Sequence, residues 1–456
     1  MPVNRSLLQT DASPASQVAD SANSHPDAEK SEQLNSERSL DFFGLTDSVG
    51  MPLFRMDFTI SEKMQTTLDL IRTFLAKEVD PLEQTFFRKP FRELLPELGL
   101  LRAKVKQMGL WGPQLPEELG GMGLSLVEHG LVSEALGRSP LGHYLFGCQA
   151  PDAGNIEILH MFGTEEQKER YLKPLAAGEI RSCFAMTEVN TAGSNPTLLE
   201  STAVKDGDEY VLNGHKWYTT GADGASFSIA MMVTNPKASP ALRASMFIVP
   251  TDNPGFQLMR NIQIMGESGS DYFSHGEVMF QSCRIPKENL LGREGHGFRI
   301  AQERLGPGRI HHCMRWLGIC GRAFDMLCER ANERVITLDG RTLADNDAIQ
   351  HKVAELYAEI QQARLSVLHA AWMIDNDGAT KARDHIAAIK FSVAGTMQRV
   401  IDAALQIHGG LGMSDDTILA YLYRHERGAR IYDGADEVHK SSLGKRILKD
   451  YAKGKR

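Results

Sequence analysis

Arg430-Ile-Tyr-Asp-Gly-Ala-Asp-Glu437 puts one acid, Asp433, between Tyr432 and Gly434 at a break between two helical stretches. A carboxylate on an exposed turn inside an apolar cleft can serve as a general base. An ordinary Asp-Gly turn has the same sequence, and the local residues leave both readings open. A second set lies upstream. Phe184-Ala-Met-Thr-Glu-Val-Asn-Thr-Ala-Gly-Ser194 closes a strand and enters a loop, so Thr187 and Ser194 offer hydroxyls to a polar ring edge or a phosphate. Trp217, Tyr218, Thr219 and Thr220 put aromatic and hydroxyl groups on one strand. That combination suits a flat heteroaromatic ligand, stacked on one face and hydrogen-bonded at its edge. A sheet core with ordinary threonines is the alternative. Gln406-Ile-His-Gly-Gly-Leu-Gly412 ends a long helix. Its glycines either let backbone approach a partner closely or simply cap the helix.

Other clusters carry less. Gly120-Gly-Met-Gly123 follows Pro116-Glu-Glu rather than a strand, so it fails the context test for a dinucleotide fingerprint and reads as a tight turn. His311-His-Cys313 looks like a metal cluster, but adjacent helical residues point in different directions and no second pair lies one turn away, so no metal is expected. There is no GxSxG nucleophile setting.

These groups must be carried by a chain of 456 residues, long enough for several domains. Fifty basic against 58 acidic residues leave a net charge of −8. That argues against a broad nucleic-acid-binding surface, though not against a local basic pocket. No apolar run reaches the length of a membrane span. Six cysteines without a CxxC pair fit free thiols in a reducing compartment. Residues 1–50 are expected to be a disordered tail, rich in Ser, Asp, Glu, Asn and Gln. The tail lacks the apolar core of a signal peptide and is too acidic for a good transit peptide. The expected location is therefore cytoplasmic, or the mitochondrial matrix or a peroxisome in a eukaryote.

Three domains are expected: α-helical over 55–178, β over 179–292 and helical again over 293–452. Thr59 and Glu62 form a capping-box pattern, followed by an apolar stripe of Leu68, Ile71, Leu75 and Val79. Thr164 should cap a helix running from Glu165 to Leu175. The period then changes to two. Glu209–Tyr218 reads as a hairpin turning at Asn213-Gly214, and strands are expected over Ser228–Val233, Ser245–Val249 and Glu277–Gln281. Short strands without intervening helices predict an antiparallel sandwich or barrel. Ile386, Ile389, Val393, Met397, Val400, Ile401, Ala404 and Leu405 mark a long helix ended by Gly409-Gly410, one of four or five in a C-terminal bundle. The fold class is α+β.

Seven stretches in order resemble the acyl-CoA dehydrogenase family of flavoproteins. They are Gly112–Gly123, Phe162–Lys168, Phe184–Glu188, Asn213–Trp217, Arg284–Asn289, Gln406–Gly412 and Ile431–Gly434. Gly306–Met314 and Asp433–His439 look most like the branch containing human family members ten and eleven. The resemblance implies an N-terminal α domain, a middle β domain and a C-terminal four-helix bundle, with FAD between the last two and a neighbouring subunit completing the site. It makes Thr187 the bond to the pyrimidine end of the flavin and Ser194 a pyrophosphate or substrate contact. Tyr218 falls where a tryptophan usually lies beside the ring, and Thr220 near flavin N5. Arg334 resembles an arginine that meets the FAD pyrophosphate, and Gln406, Gly409 and Gly410 match a loop touching FAD across a homodimer or homotetramer. Asp433 aligns with the α-proton base, with Tyr432 and Gly434 beside the substrate. The family's other base location is Gly308, and Arg309 after it is either a substrate-site cation or part of an internal ion pair.

The sequence also departs from the family pattern. Asp433 stands where many members carry Glu, one methylene longer. Ala435 lacks a hydroxyl found near FAD in many members, Val335–Gly340 replaces a Phe-Gly after the pyrophosphate arginine, and Val189 replaces a proline with one extra residue before Ser194. The implied activity is FAD-dependent α,β-dehydrogenation of an acyl-CoA, with electrons passed to electron-transfer flavoprotein. A flavin oxidase of this fold, acyl-CoA oxidase or nitroalkane-oxidase-like, is the competing reading, because nitroalkane oxidases also carry an aspartate base.

Overall fold

A computed structural model describes residues 59–454, so the expected tail over 1–50 lies outside the described residues. The first helices are α1 (Glu62–Phe74), α2 (Glu83–Arg88), α3 (Phe91–Gln107), α4 (Leu126–Leu136), α5 (Gly142–Leu145), α6 (Asp152–Phe162), α7 (Glu165–Gln167) and α8 (Lys173–Ala176). Ser61 caps α1, accepting from the Met64 N–H at 3.2 Å, so the cap lies two residues later than Thr59. Both hydroxyls precede the helix, and the nearer one, Ser61, takes the role. Leu68, Ile71, Leu75 and Val79 are buried, as their spacing predicts. Thr164 caps α7 reciprocally with Gln167.

Eight strands follow: β1 (Ser182–Ala185), β2 (Thr202–Asp206), β3 (Glu209–Thr220), β4 (Phe227–Val233), β5 (Ala244–Pro250), β6 (Phe256–Asn261), β7 (His275–Pro286) and β8 (Leu290–Leu291). The path is β6-β7-β3-β2-β4-β5-β8, with β1 added beside β4. Most pairings are antiparallel, while β1 runs parallel to β4. β4 is buried throughout. Phe227, Ile229, Met231 and Val233 pack with Ile156 and Leu172 from the helices, and Ala230 and Met232 pack with Leu212, Val278 and Phe280 inside the sheet. A strand covered on both faces needs such a run.

The hairpin reading over Glu209–Tyr218 does not hold. β3 continues through Asn213-Gly214 as one twelve-residue strand, and the turn precedes it at Gly207, φ +63°. Asn213 lies at a register shift between Leu212 and Gly214, where its side-chain oxygen accepts from the Ser282 N–H at 2.8 Å. Gly214 is required for closeness, since a Cβ there would lie 2.0 Å from Ser201 Oγ.

The chain ends in helices α9 (Gly297–Glu333), α10 (Asp347–Asp377), α11 (Ala379–His408), α12 (Leu419–His425) and α13 (Asp436–Ala452). The α11 stripe is buried apart from half-buried Leu405. The N-terminal helices and the bundle share one apolar core, with Trp316 fully buried in it. All six cysteines are free. No helix among the described residues is long and apolar enough to cross a membrane.

Candidate active site

The Asp433 turn joins a 3-10 segment, Glu426–Arg430, to α13. Its base is a buried fork. Arg315 on α9 donates to both oxygens of Glu426 at 2.6 and 2.8 Å, and again to the Tyr432 hydroxyl at 3.0 Å. Trp316 Nε1 donates to the same hydroxyl at 3.2 Å. The Tyr432 oxygen is thus taken up inside the bundle, while its ring packs beside His312 and Trp316.

Asp433 and Gly434 then adopt φ of +53° and +96°. A left-handed non-glycine residue costs on the order of 1–3 kcal/mol and persists only where its surroundings fix it. Here they do. Lys390, fully buried on α11, donates to the Ala429 carbonyl at 2.7 Å and the Gly434 carbonyl at 3.0 Å. The Asp433 carbonyl accepts from His439 Nε2 at 3.1 Å and Arg309 Nε at 3.4 Å. Burial lowers His439 to about 4, so a neutral imidazole donates through Nε2–H.

Among the described residues the Asp433 side chain meets one partner, His312 Nε2, at 2.8 Å from Oδ2. Both side chains keep some exposure, 24% and 20%, so the carboxylate is open on one side. Burial pushes the Asp433 carboxyl up, but the His312 hydrogen bond and the pull of His312, Arg304 and Arg309 outweigh it and hold the group well below the carboxylate range. A Cβ at Gly308, one turn before His312, would meet nothing within 4 Å, so that position faces open space. Arg309 makes no ion pair among the described residues. Arg304 lies over the Phe184 ring at 4.2 Å and donates to Asn155 Oδ1 at 3.1 Å, linking the bundle to β1 and α6.

On the sheet, Thr187 and Trp217 each adjoin one member of a buried ion pair. Lys216 Nζ, fully buried on β3, lies 2.8 Å from Glu188 Oε1 and also donates to the Met186 and Met231 carbonyls at 3.0 and 2.8 Å. Glu188 in turn accepts from the Glu200 and Ser201 N–H groups at 2.7 and 2.9 Å. The Trp217 N–H donates to the Thr187 carbonyl at 3.0 Å. A register shift between Lys216 and Thr219 turns Tyr218 out to solvent with φ +52°. Thr220 Oγ1 lies 2.9 Å from His275 Nδ1, whose imidazole burial lowers to about 4. Ser194 is exposed in the loop after Thr187.

A third group closes the bundle's far end. Arg334, at the C-cap of α9, donates to the His408 carbonyl at 3.3 Å. A Cβ at Gly409, φ +63°, would lie 3.1 Å from Arg334 Nη1. Gln406 and Gly410 are exposed beside it. Among the described residues no recorded contact joins this group to Thr187, Thr220 or Asp433.

The acyl-CoA dehydrogenase N-terminal, middle and C-terminal domains match residues 61–179, 183–283 and 295–448. A Mycobacterium tuberculosis protein named as a probable acyl-CoA dehydrogenase is 41% identical, over 86% of this chain and 97% of its own. The chain belongs to the acyl-CoA dehydrogenase family. Acyl-CoA dehydrogenase family member 11 of Gallus gallus is 38% identical over 94% of this chain. The chain spans about half the length of such relatives, 55% of the Gallus gallus protein. A Mycobacterium abscessus structure described as an acyl-CoA dehydrogenase is 39% identical with a TM-score of 0.82, over 86% of this chain and all of that one. An Acidaminococcus fermentans structure described under electron transferring flavoprotein is 31% identical, TM-score 0.75, over 87% of this chain and all of that one. A glutaryl-CoA dehydrogenase in complex with glutaryl-CoA is 25% identical, TM-score 0.76, over 88% and 98%.

Within this acyl-CoA dehydrogenase fold, four residues near the turn escaped sequence reading: His312, Lys390, His439 and Arg304. His312 had a usable signal. Weighed only as half of a zinc pair, it lies one helical turn after Gly308 and so on the same face. Among the described residues no group of three or more His, Cys, Asp or Glu could hold a metal ion.

Proposed function

We propose that this chain catalyses FAD-dependent α,β-dehydrogenation of an acyl-CoA thioester, with Asp433 as the α-proton base. The observation that carries the reading is the carboxylate itself: held low by its cationic neighbours, partly exposed, and set on a left-handed turn against the helix that carries Gly308. The residues present fit FAD. Buried Trp217 Nε1 and Thr219 Oγ1 lack partners among the described residues, and the exposed Tyr218 ring stands beside them. Thr187, Ser194, Tyr218 and Thr220 would hold the cofactor on this subunit. When bound, FAD supplies the acceptor for the β-hydride at N5.

Asp433 takes the α-proton while the acyl chain lies between the turn and the sheet. Its backbone N–H holds the thioester oxygen as charge develops there. The Tyr432 ring and Gly434 line the substrate side, and Arg309 supplies a cation near the same oxygen-rich groups. The further proposal is a homodimer or homotetramer in which a second subunit presents Arg334, Gln406, Gly409 and Gly410 to the cofactor. Electron-transfer flavoprotein is the proposed acceptor. The free thiols fit a reducing compartment such as the cytoplasm.

Anaerobic addition of an acyl-CoA panel should bleach the flavin absorbance. Asp433→Asn should keep FAD and lose turnover about 100- to 10,000-fold, the usual contribution of a general base. Near-native turnover in that variant would refute the assignment. Rapid reoxidation of the substrate-reduced enzyme by air would favour the oxidase reading instead.

A further inference from the structure

We propose that His312 is the positioning residue of the Asp433 base: its Nε2–H holds Oδ2 so that Oδ1 alone is presented to the α-carbon. This rests on the acyl-CoA reading above and deepens it. The 2.8 Å contact is the one recorded for this carboxylate among the described residues. The other groups around the turn act elsewhere. His439 of α13 and Arg309 of α9 bond the Asp433 carbonyl, and Lys390 of α11 bonds the Gly434 carbonyl. They fix the backbone and leave the carboxylate plane free.

That freedom matters because the terminal torsion of an aspartate is broad and roughly two-fold. Without a partner, either oxygen could face the substrate at many angles. A misplacement of about 1 Å can cost roughly a hundredfold in rate. A short side chain has little reach with which to correct it. A donor at one oxygen removes the ambiguity.

The imidazole is suited to the task because its own orientation is set independently. It lies nearly parallel to Trp316, at 21° and 6.0 Å between centroids, and 5.4 Å from the Tyr432 ring. Trp316 is fully buried, and Tyr432 is tied by Arg315 and Trp316. The charged and titratable groups facing Asp433 are His312, Arg304 and Arg309 from α9, Lys390 from α11 and His439 from α13, with Tyr432 on its own turn. The His312 hydrogen bond is the largest of the influences that oppose burial and hold the carboxyl down.

The test uses the flavin-loaded enzyme with His312→Phe, His312→Asn and His312→Gln, and with Asp433→Asn as the reference. Phe keeps a ring and removes the donor. The Asn amide is too short to reach Oδ2. The Gln amide reaches about as far as Nε2 and restores the donor. In Phe and Asn, kcat should fall about a hundredfold with KM changed less than about threefold. The acid limb of the kcat/KM profile should move to higher pH, and the flavin spectrum should stay native. Gln should recover about tenfold of the loss. If Phe will not fold, Asn carries the same comparison. A kcat within threefold of native in the donor-less variants, an unmoved acid limb, or equal losses in Gln and Asn would overturn the positioning role while an inactive Asp433→Asn upheld the base. Native turnover in Asp433→Asn would overturn the base assignment and this proposal with it.

Discussion

Lys216→Met removes one partner of a buried pair whose acid is 4% exposed. Methionine fills nearly the same volume, so the change is electrostatic rather than steric. Glu188 keeps the Glu200 and Ser201 N–H groups, but it becomes a buried charge without a cation. The Met186 and Met231 carbonyls lose their shared donor. Breaking a buried pair from one side costs about 3–5 kcal/mol. Glu188 is then driven toward water, and Thr187, its neighbour, moves with it. Hydrogen exchange followed by mass spectrometry reads this directly in peptides carrying the Glu200 and Ser201 amides. They should exchange roughly 200- to 5,000-fold faster than in the native protein. Adding Glu188→Gln, which neutralises the stranded charge and keeps a carbonyl for those amides, should slow exchange at least tenfold relative to Lys216→Met alone. Cofactor retention on gel filtration should fall in the single variant and partly return in the double. Exchange within tenfold of native in Lys216→Met, or no recovery in the double variant, would refute the idea that this pair anchors the loop.

Gly434→Ala sets a Cβ 2.6 Å from His439 Nε2 at φ +96°, so it should cost about 1–3 kcal/mol in urea unfolding and displace the Asp433 carbonyl contact. Lys390→Met leaves two carbonyls without a donor, each costing about 1–3 kcal/mol, and should reduce kcat more than FAD affinity in titrations of the apoprotein. Folding lowers the Asp433 carboxyl, so its pairing supports the fold above the unfolded value near about 3.9 and that support fades as pH falls below it. The stability of the native protein relative to Asp433→Asn should therefore hold steady above about pH 5 and decline as pH falls through about 4 and below in denaturant titrations.

Long, strongly periodic elements were readable. The α11 stripe, the Thr164 cap and the β4 and β5 segments follow from spacing that tertiary packing then reinforces. Asn213-Gly214 was misleading because a turn-forming pair also suits a bulge. What decides between them is the Ser201 hydroxyl pressing on Gly214 from the neighbouring strand, which no local pattern contains. The site shows the same division. Asp433 is conspicuous beside Gly434, whereas Lys390 lies 43 positions away on an apolar stripe and looks like a helix-face cation until the fold brings the turn over it. The Lys216–Glu188 pair was embedded in two recognisable stretches, but its role emerges only when β3 passes beneath the loop after β1.

The Asp433 turn is tied to α9, α11 and α13 at once. Any loosening among those helices should thus reach the Asp433 carboxylate before it reaches the sheet that carries Thr187 and Thr220. On gradual heating, such an enzyme should fall silent while still yellow.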